Sequence, residues 1–195
     1  KGITKSQGKV NNPYISDQIL SANVDEFSKP SDIDVFGDYA YVVATSSNSM
    51  AIFDISEPSN LNKVSTINDS DPSVNSLKNP TSIEIDGNYA YITPKNAGDN
   101  IIQVIDVKNP SDPSGAGSND NQPDVSGGVV DLKKKGNYAF AINDSSNKLL
   151  YYDVSDPYDP KKPGFISTYG TPTSIDIFKE HLYLGNSSSV EIFDI

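Results

Sequence analysis

The stretch PTSIEIDGNYAYIT, residues 80–93, decides the fold. Ile83 and Ile85 alternate with polar neighbours, Gly87-Asn88 interrupts them, and Tyr89 and Tyr91 resume the alternation beyond. Period-two patterning on both sides of such a pair predicts a β-hairpin, because Gly and Asn accept the positive φ angles of a tight turn. The unit recurs as PSDIDVFGDYAYVV from Pro30, GGVVDLKKKGNYAFAI from Gly127 and PTSIDIFKEHLYLGN from Pro172. A third short strand follows each copy: MAIFD ending at Asp54, IQVID at Asp106, LLYYD at Asp153 and VEIFD at Asp194. These aspartates stand 52, 47 and 41 residues apart, a spacing that suits the blades of a propeller and not a helical repeat. In the fourth copy Lys179-Glu180 replaces the pairs Gly37-Asp38, Gly87-Asn88 and Gly136-Asn137, so its turn is expected to be of another type.

Each blade needs a fourth strand. LNKVSTIN from Leu61 and PGFISTYG from Pro163 provide it in copies one and three, whereas Ser114 to Gly128, rich in Gly, Ser and Asn, shows no strand pattern. Copy four has nothing after Ile195, but QILSANV, Gln18 to Val24, fits the fourth-strand pattern. The prediction is an all-β, four-bladed β-propeller over residues 18–195, with blades starting near 30, 80, 127 and 172. The strand at about 18–24 completes the last blade and so removes the open strand edges of an unclosed ring. Residues 1–17 stand apart as an N-terminal extension, read as an intersubunit arm, with Val10, Pro13, Tyr14 and Ile15 as anchors. Asp69 to Asn79 and Ser114 to Gly128 are long connections, read as contact surfaces or as flexible filler.

A formal charge of −11, from 26 acidic and 15 basic residues, repels a phosphate backbone, and the lysines cluster only at Lys133-Lys134-Lys135. Nucleic acid is therefore not an expected partner. No apolar run approaches the roughly 20 residues that cross a bilayer as a helix, so no membrane insertion is expected. Starting at Lys1 fits a mature, exported chain, and the triplets at Asn68, Asn143 and Asn186 read as glycosylation sequons that agree with export. The absence of cysteine rules out disulfides and thiol nucleophiles.

Asp34, Glu84, Asp131 and Asp176 are read as holding one slot of the first strand, each between aliphatic residues. Alternation sends them away from those aliphatics, and the first strand of a blade is innermost, so the four carboxylates would ring the channel. Such a ring has two readings: a solvated, partly lysine-paired ring, or a site for Ca²⁺ or Na⁺ that relieves like-charge repulsion. No cofactor is required. Asp54, Asp106, Asp153 and Asp194 are read as turn-capping residues, since Asp before Ser, Asn and Pro caps backbone N–H groups. His181 occupies the slot of Tyr39, Tyr89 and Tyr138, which assigns it to packing, and the tyrosines of the second strands are read as core. No GxSxG elbow, HExxH helix or GxxxxGK loop occurs.

The strand-plus-Asp unit in MAIFD, IQVID, LLYYD and VEIFD, with the GxYAY element before it, resembles the LVIVD-repeat β-propellers of bacterial and archaeal surface proteins. The resemblance spans about residues 18–195. It implies a propeller and an extracellular or cell-surface setting, and it brings no catalytic residues. The leading expectation is a non-catalytic structural or interaction protein that associates with itself or with other surface proteins, as a subunit of a fibre, tube or surface layer. The alternatives are a module binding a glycan, peptide or small ligand, and, more remotely, a hydrolase that uses two carboxylates.

Overall fold

Alternating segments bounded by turn residues form fifteen strands, and no helix, in the computed structural model, which describes residue 18 and residues 27–95, 102–118, 128–161 and 164–195. The first blade is β1 (Pro30–Phe36), β2 (Tyr39–Ala44), β3 (Ser49–Asp54) and β4 (Asn62–Asn68), an antiparallel sheet in chain order. The second is β5 (Pro80–Asp86), β6 (Tyr89–Pro94), β7 (Gln103–Asp106) and β8 (Ser114–Ser118). The third is β9 (Val129–Lys135), β10 (Tyr138–Asn143), β11 (Lys148–Asp153) and β12 (Gly164–Ser167). The fourth holds β13 (Pro172–Phe178), β14 (His181–Asn186) and β15 (Val190–Asp194). The chain is thus a four-bladed β-propeller. Gln18 to Val24, expected to complete the last blade, and the extension 1–17 lie outside the described residues, Gln18 excepted.

The core lies between blades. Tyr41, Val43, Met50 and Ile52 of the first blade meet Ile83, Ile85, Ile92 and Ile105 of the second. Tyr91 and Val104 of the second blade meet Leu132, Ala141 and Leu150 of the third. Phe140, Ile142 and Leu149 of the third blade meet Ile175, Leu182 and Leu184 of the fourth. Strand alternation gives each sheet two apolar faces, one for each neighbour. The inner strands pack in succession, β1 on β5, β5 on β9 and β9 on β13, and among the described residues no comparable packing returns from β13 to β1.

Three features depart from expectation. The fourth hairpin uses the same turn as the others: Lys179 has φ 54°, beside 60°, 59° and 55° at Gly37, Gly87 and Gly136, and Phe178 faces His181 as Phe36 faces Tyr39. A residue with a Cβ thus adopts the left-handed region, where glycine is at ease. Second, Ser114–Ser118 does form the fourth strand of its blade. Its small residues are a packing requirement, since a Cβ on Gly115 would strike the Ser73 carbonyl and one on Gly117 the backbone of Pro157-Tyr158. Third, the connection after β4 is built into the structure: Val74 and Leu77 enter the core between the first two blades, and the Asp69 carboxylate accepts the Leu77 N–H at 2.7 Å.

Because Lys179 carries the left-handed strain, Lys179→Gly is expected to raise stability by about 0.5–1 kcal/mol. Urea unfolding measures it: the midpoint rises with an unchanged slope, and a lowered midpoint would show that the Lys179 side chain contributes more than its backbone costs.

Candidate functional site

The inner strand of a blade is a sheet edge, so every second N–H along it has no ladder partner. Carboxylates of the preceding blade fill that need. Asp32 Oδ2 accepts the Ile83 N–H and the Ser82 hydroxyl, both at 2.9 Å, and Asp34 Oδ2 accepts the Ile85 N–H at 2.6 Å. Asp131 Oδ2 accepts the Ile175 N–H at 2.9 Å. The other oxygen of each of these aspartates accepts the next N–H of its own strand, as Asp176 Oδ1 does from Ile177 at 2.8 Å. The inner acids therefore stitch neighbouring blades together, a role that was not foreseen from the sequence.

Strand pairing corrects the membership of the expected carboxylate ring. Asp34, Glu84 and Asp176 face Tyr41, Tyr91 and Tyr183, but Asp131 faces Ile142, and it is Lys133 that faces the equivalent Phe140. Asp131 instead shares the slot of Asp32, Ser82 and Ser174. The hairpin turn at Gly136, and not the Gly-Gly start of the copy, fixes the register. The shared slot thus holds three acids and one lysine.

That lysine sits 3.0 Å from Glu84 Oε2, with both side chains largely covered. Burial pushes the Glu84 carboxyl above its ordinary range; Lys133 opposes this, while Asp34 and Asp131 add to it. Burial pulls the Lys133 ammonium down, but Glu84, Asp131 and Asp176 more than offset that, and its pKa rises. Among the described residues no three of His, Cys, Asp and Glu stand close enough to hold a metal ion, so Asp34, Glu84, Asp131 and Asp176 do not converge on one point. The neighbouring Lys134 pairs with Asp86 and Lys135 with Glu180, so all three lysines of the run pair with acids of an adjacent blade.

The remaining candidates are structural. Asp54 accepts the N–H and hydroxyl of Ser56, which hold its carboxyl below the usual range, and Asp153 does the same with Ser155. Asp106 accepts the Lys108 N–H. His181 lies 3.1 Å from Asp194 and is half-exposed against Tyr183, at the rim of the last blade and outside any core cluster of buried residues. Tyr41, Tyr91 and Phe140 are buried, but Tyr138 and Tyr183 are exposed. The asparagines of the three sequons are turn caps: Asn68 accepts from Ser70, Asn143 from Ser146, and Asn186 from Ser188 and Ser189. Asn143 is wholly buried, so in the folded chain it offers no glycan acceptor.

Two surfaces stand out by comparison with their repeats. Ile33 faces Val42 as Ile83 faces Ile92, Leu132 faces Ala141 and Ile175 faces Leu184. Those three partners in the repeat are 2%, 0% and 4% exposed, whereas Ile33 is 58% exposed. On the far side of the last blade, Ile192 faces Tyr183 as Ile52 faces Tyr41 and Val104 faces Tyr91. Ile52 and Val104 are 0% exposed, Tyr151, which faces Phe140 in the same slot of the third blade, is 38%, and Ile192 is 60%. Val35 is exposed beside Ile33, and Val190 beside Ile192. The first and last blades each present an uncovered blade-packing face.

The LVIVD repeat matches residues 29–69, 79–121 and 126–171, which correspond to the first three blades. The chain belongs to the LVIVD repeat family. The last blade of this LVIVD propeller lies beyond those matches, yet it keeps the register of the other three. A protein from Lactobacillus plantarum is similar at 16% identity and TM-score 0.71, over 85% of this chain and 50% of that one. The periplasmic gluconolactonase of Pseudomonas aeruginosa is similar at 15% identity and TM-score 0.65, over 81% of this chain and 47% of that one. The computationally designed Ika4 protein is similar at 9% identity, with TM-score 0.64 over 86% of this chain and 92% of that one. The LVIVD propeller thus spans about half the length of the two natural chains, and at these identities the likeness is one of fold. No curated protein matches the chain.

Lys133→Met removes the cation paired with half-buried Glu84, so the Glu84 carboxyl pKa is expected to rise further. A carboxyl raised in the folded state costs stability above its folded pKa, and that cost disappears as protonation proceeds below it. Lys133→Met should therefore destabilise by about 1–2 kcal/mol near neutral pH, with the loss shrinking on acidification. NMR titration of Glu84 with unfolding at several pH values checks this; a loss independent of pH would contradict it.

Proposed function

We propose that this LVIVD propeller is a non-catalytic structural protein of the cell surface or extracellular space that works by self-association through its blade faces. The observation that carries the reading is the exposure of Ile33, in a slot that the other three blades bury, and of Ile192, in a slot that the first two blades bury. Contiguous apolar surface flanked by polar residues marks an interaction site. The inner acids support the reading as well, because their oxygens are engaged in holding blades together, which leaves them no role as a catalytic pair. Neither the fold nor a gluconolactonase likeness at 15% identity supplies a site.

A second reading has one observation in its favour. A cleft of about 560 Å³ beside β15, lined by Tyr138, Phe140, Tyr151, Ile166 and Ile192, has the size and apolar walls of a small-ligand site. Aromatic rings at its edge suit a glycan or a peptide side chain.

Sedimentation velocity over a concentration series separates the two. Self-association predicts a mass above the 21.0 kDa of one chain, growing in population with concentration. A single-chain mass throughout, together with thermal stabilisation by a member of a glycan and peptide panel, would favour the cleft reading instead.

A further inference from the structure

We propose that two copies of this chain close into one eight-bladed ring, the first-blade face of each copy seated on the last-blade face of the other. The inference rests on the self-association reading above and names its partner and its symmetry.

Three blade-to-blade seams are visible within the chain, and they share a chemistry that can be projected onto the ends. At each seam an aliphatic pair of the inner strand is covered by the aromatic or aliphatic second and third strands of the preceding blade. A hydroxyl just ahead of the Asp32 slot reaches the next blade: Ser31 Oγ donates to the Pro80 carbonyl at 2.6 Å, and Thr81 Oγ1 to the Val129 carbonyl at 2.7 Å. Thr173 holds that slot in the last blade and donates to Gly185 of its own sheet. Asp34 reaches the Ile85 N–H of the next blade, and Asp176 holds the same slot in the last blade. The last blade therefore presents the donor half of a fourth seam in Thr173, Asp176, Tyr183 and Ile192. The first blade presents its receiving half in Pro30, Ile33 and Val35.

Among the described residues β13 and β1 show no packing comparable to that which joins β9 to β13. In the proposed assembly the four blades of one chain make up half of the ring. The chain superposes on half of a solved chain about twice its length, with higher similarity than on a designed chain of its own length. A second copy related by a two-fold axis along the channel closes the ring with two identical seams, and a closed ring leaves neither half exposed.

Native mass spectrometry of the whole chain tests the proposal, with Ile33→Asp and Ile192→Asp as variants. Both positions are exposed in the single chain, so circular dichroism should show both variants folded. The wild type is expected at twice the mass of one chain, with no larger species at higher concentration. Each variant alone should appear at single-chain mass, and an equal mixture should recover a pair containing one of each, because one of its two seams is intact. A ladder of larger species would keep self-association and overturn the closed pair. A wild type that stays at single-chain mass would overturn both. Folded variants that fail to pair when mixed would overturn the seam assignment.

Discussion

Neighbouring blades are joined by aliphatic side chains of the inner strand buried under the preceding sheet and, at two of the three seams, by edge N–H groups accepted by a carboxylate of that sheet, while at the seam between the second and third blades Lys133 pairs with Glu84. Burying one large aliphatic side chain is worth about 1.5–3 kcal/mol, but burial alone would leave inner-strand N–H groups desolvated at the seam, which costs about as much. Asp32, Asp34 and Asp131 resolve this by spending one oxygen on their own strand and one on the next. An isolated sheet of this kind has two apolar faces and cannot fold as a unit, so blades are stable only in company. The same logic gives the first and last blades their chemistry, because a terminal blade carries faces of the same composition as an internal one.

Much of this architecture is legible in the sequence. The repeated hairpin and its closing Asp locate the blades, and Gly37, Gly87 and Gly136 mark their turns by conformational need. The exceptions have physical causes. Lys179 replaces a glycine without changing the turn, because the flanking register is held by Ile175, Ile177 and Leu182 packing on the third blade. Ser114–Ser118 lacks strand patterning because two other backbones approach it too closely for side chains. Pattern-based reading finds strands that pack through side chains and misses those that pack through backbone.

The inner-strand acids were legible as residues and not as partners. Their recurrence is visible in the sequence, but whether an Asp faces open channel or a neighbour's N–H depends on the tilt of one sheet against the next, which no local pattern encodes. The slot of Asp131 was misplaced by two residues for a related reason: register in this blade is set by Gly136 and by the pairing of Lys133 with Phe140, and the run Lys133-Lys134-Lys135 hides the alternation that would have shown it. Placing Lys133 beside Glu84 brings a lysine to the acids, as the lysine-paired reading of the ring has it. The sequons show the same lesson at Asn68, Asn143 and Asn186, where Asn followed by Ser serves the turn and the amide oxygen is already used.

The account stands on the first and last blades being halves of one more seam. A three-dimensional density map of the wild-type particle at high protein concentration examines that most directly. It should show eight sheets around a single axis, with Ile33 of one copy against Tyr183 and Ile192 of the other. Four sheets closed on themselves, with β13 packed against β1 of its own chain, would contradict it.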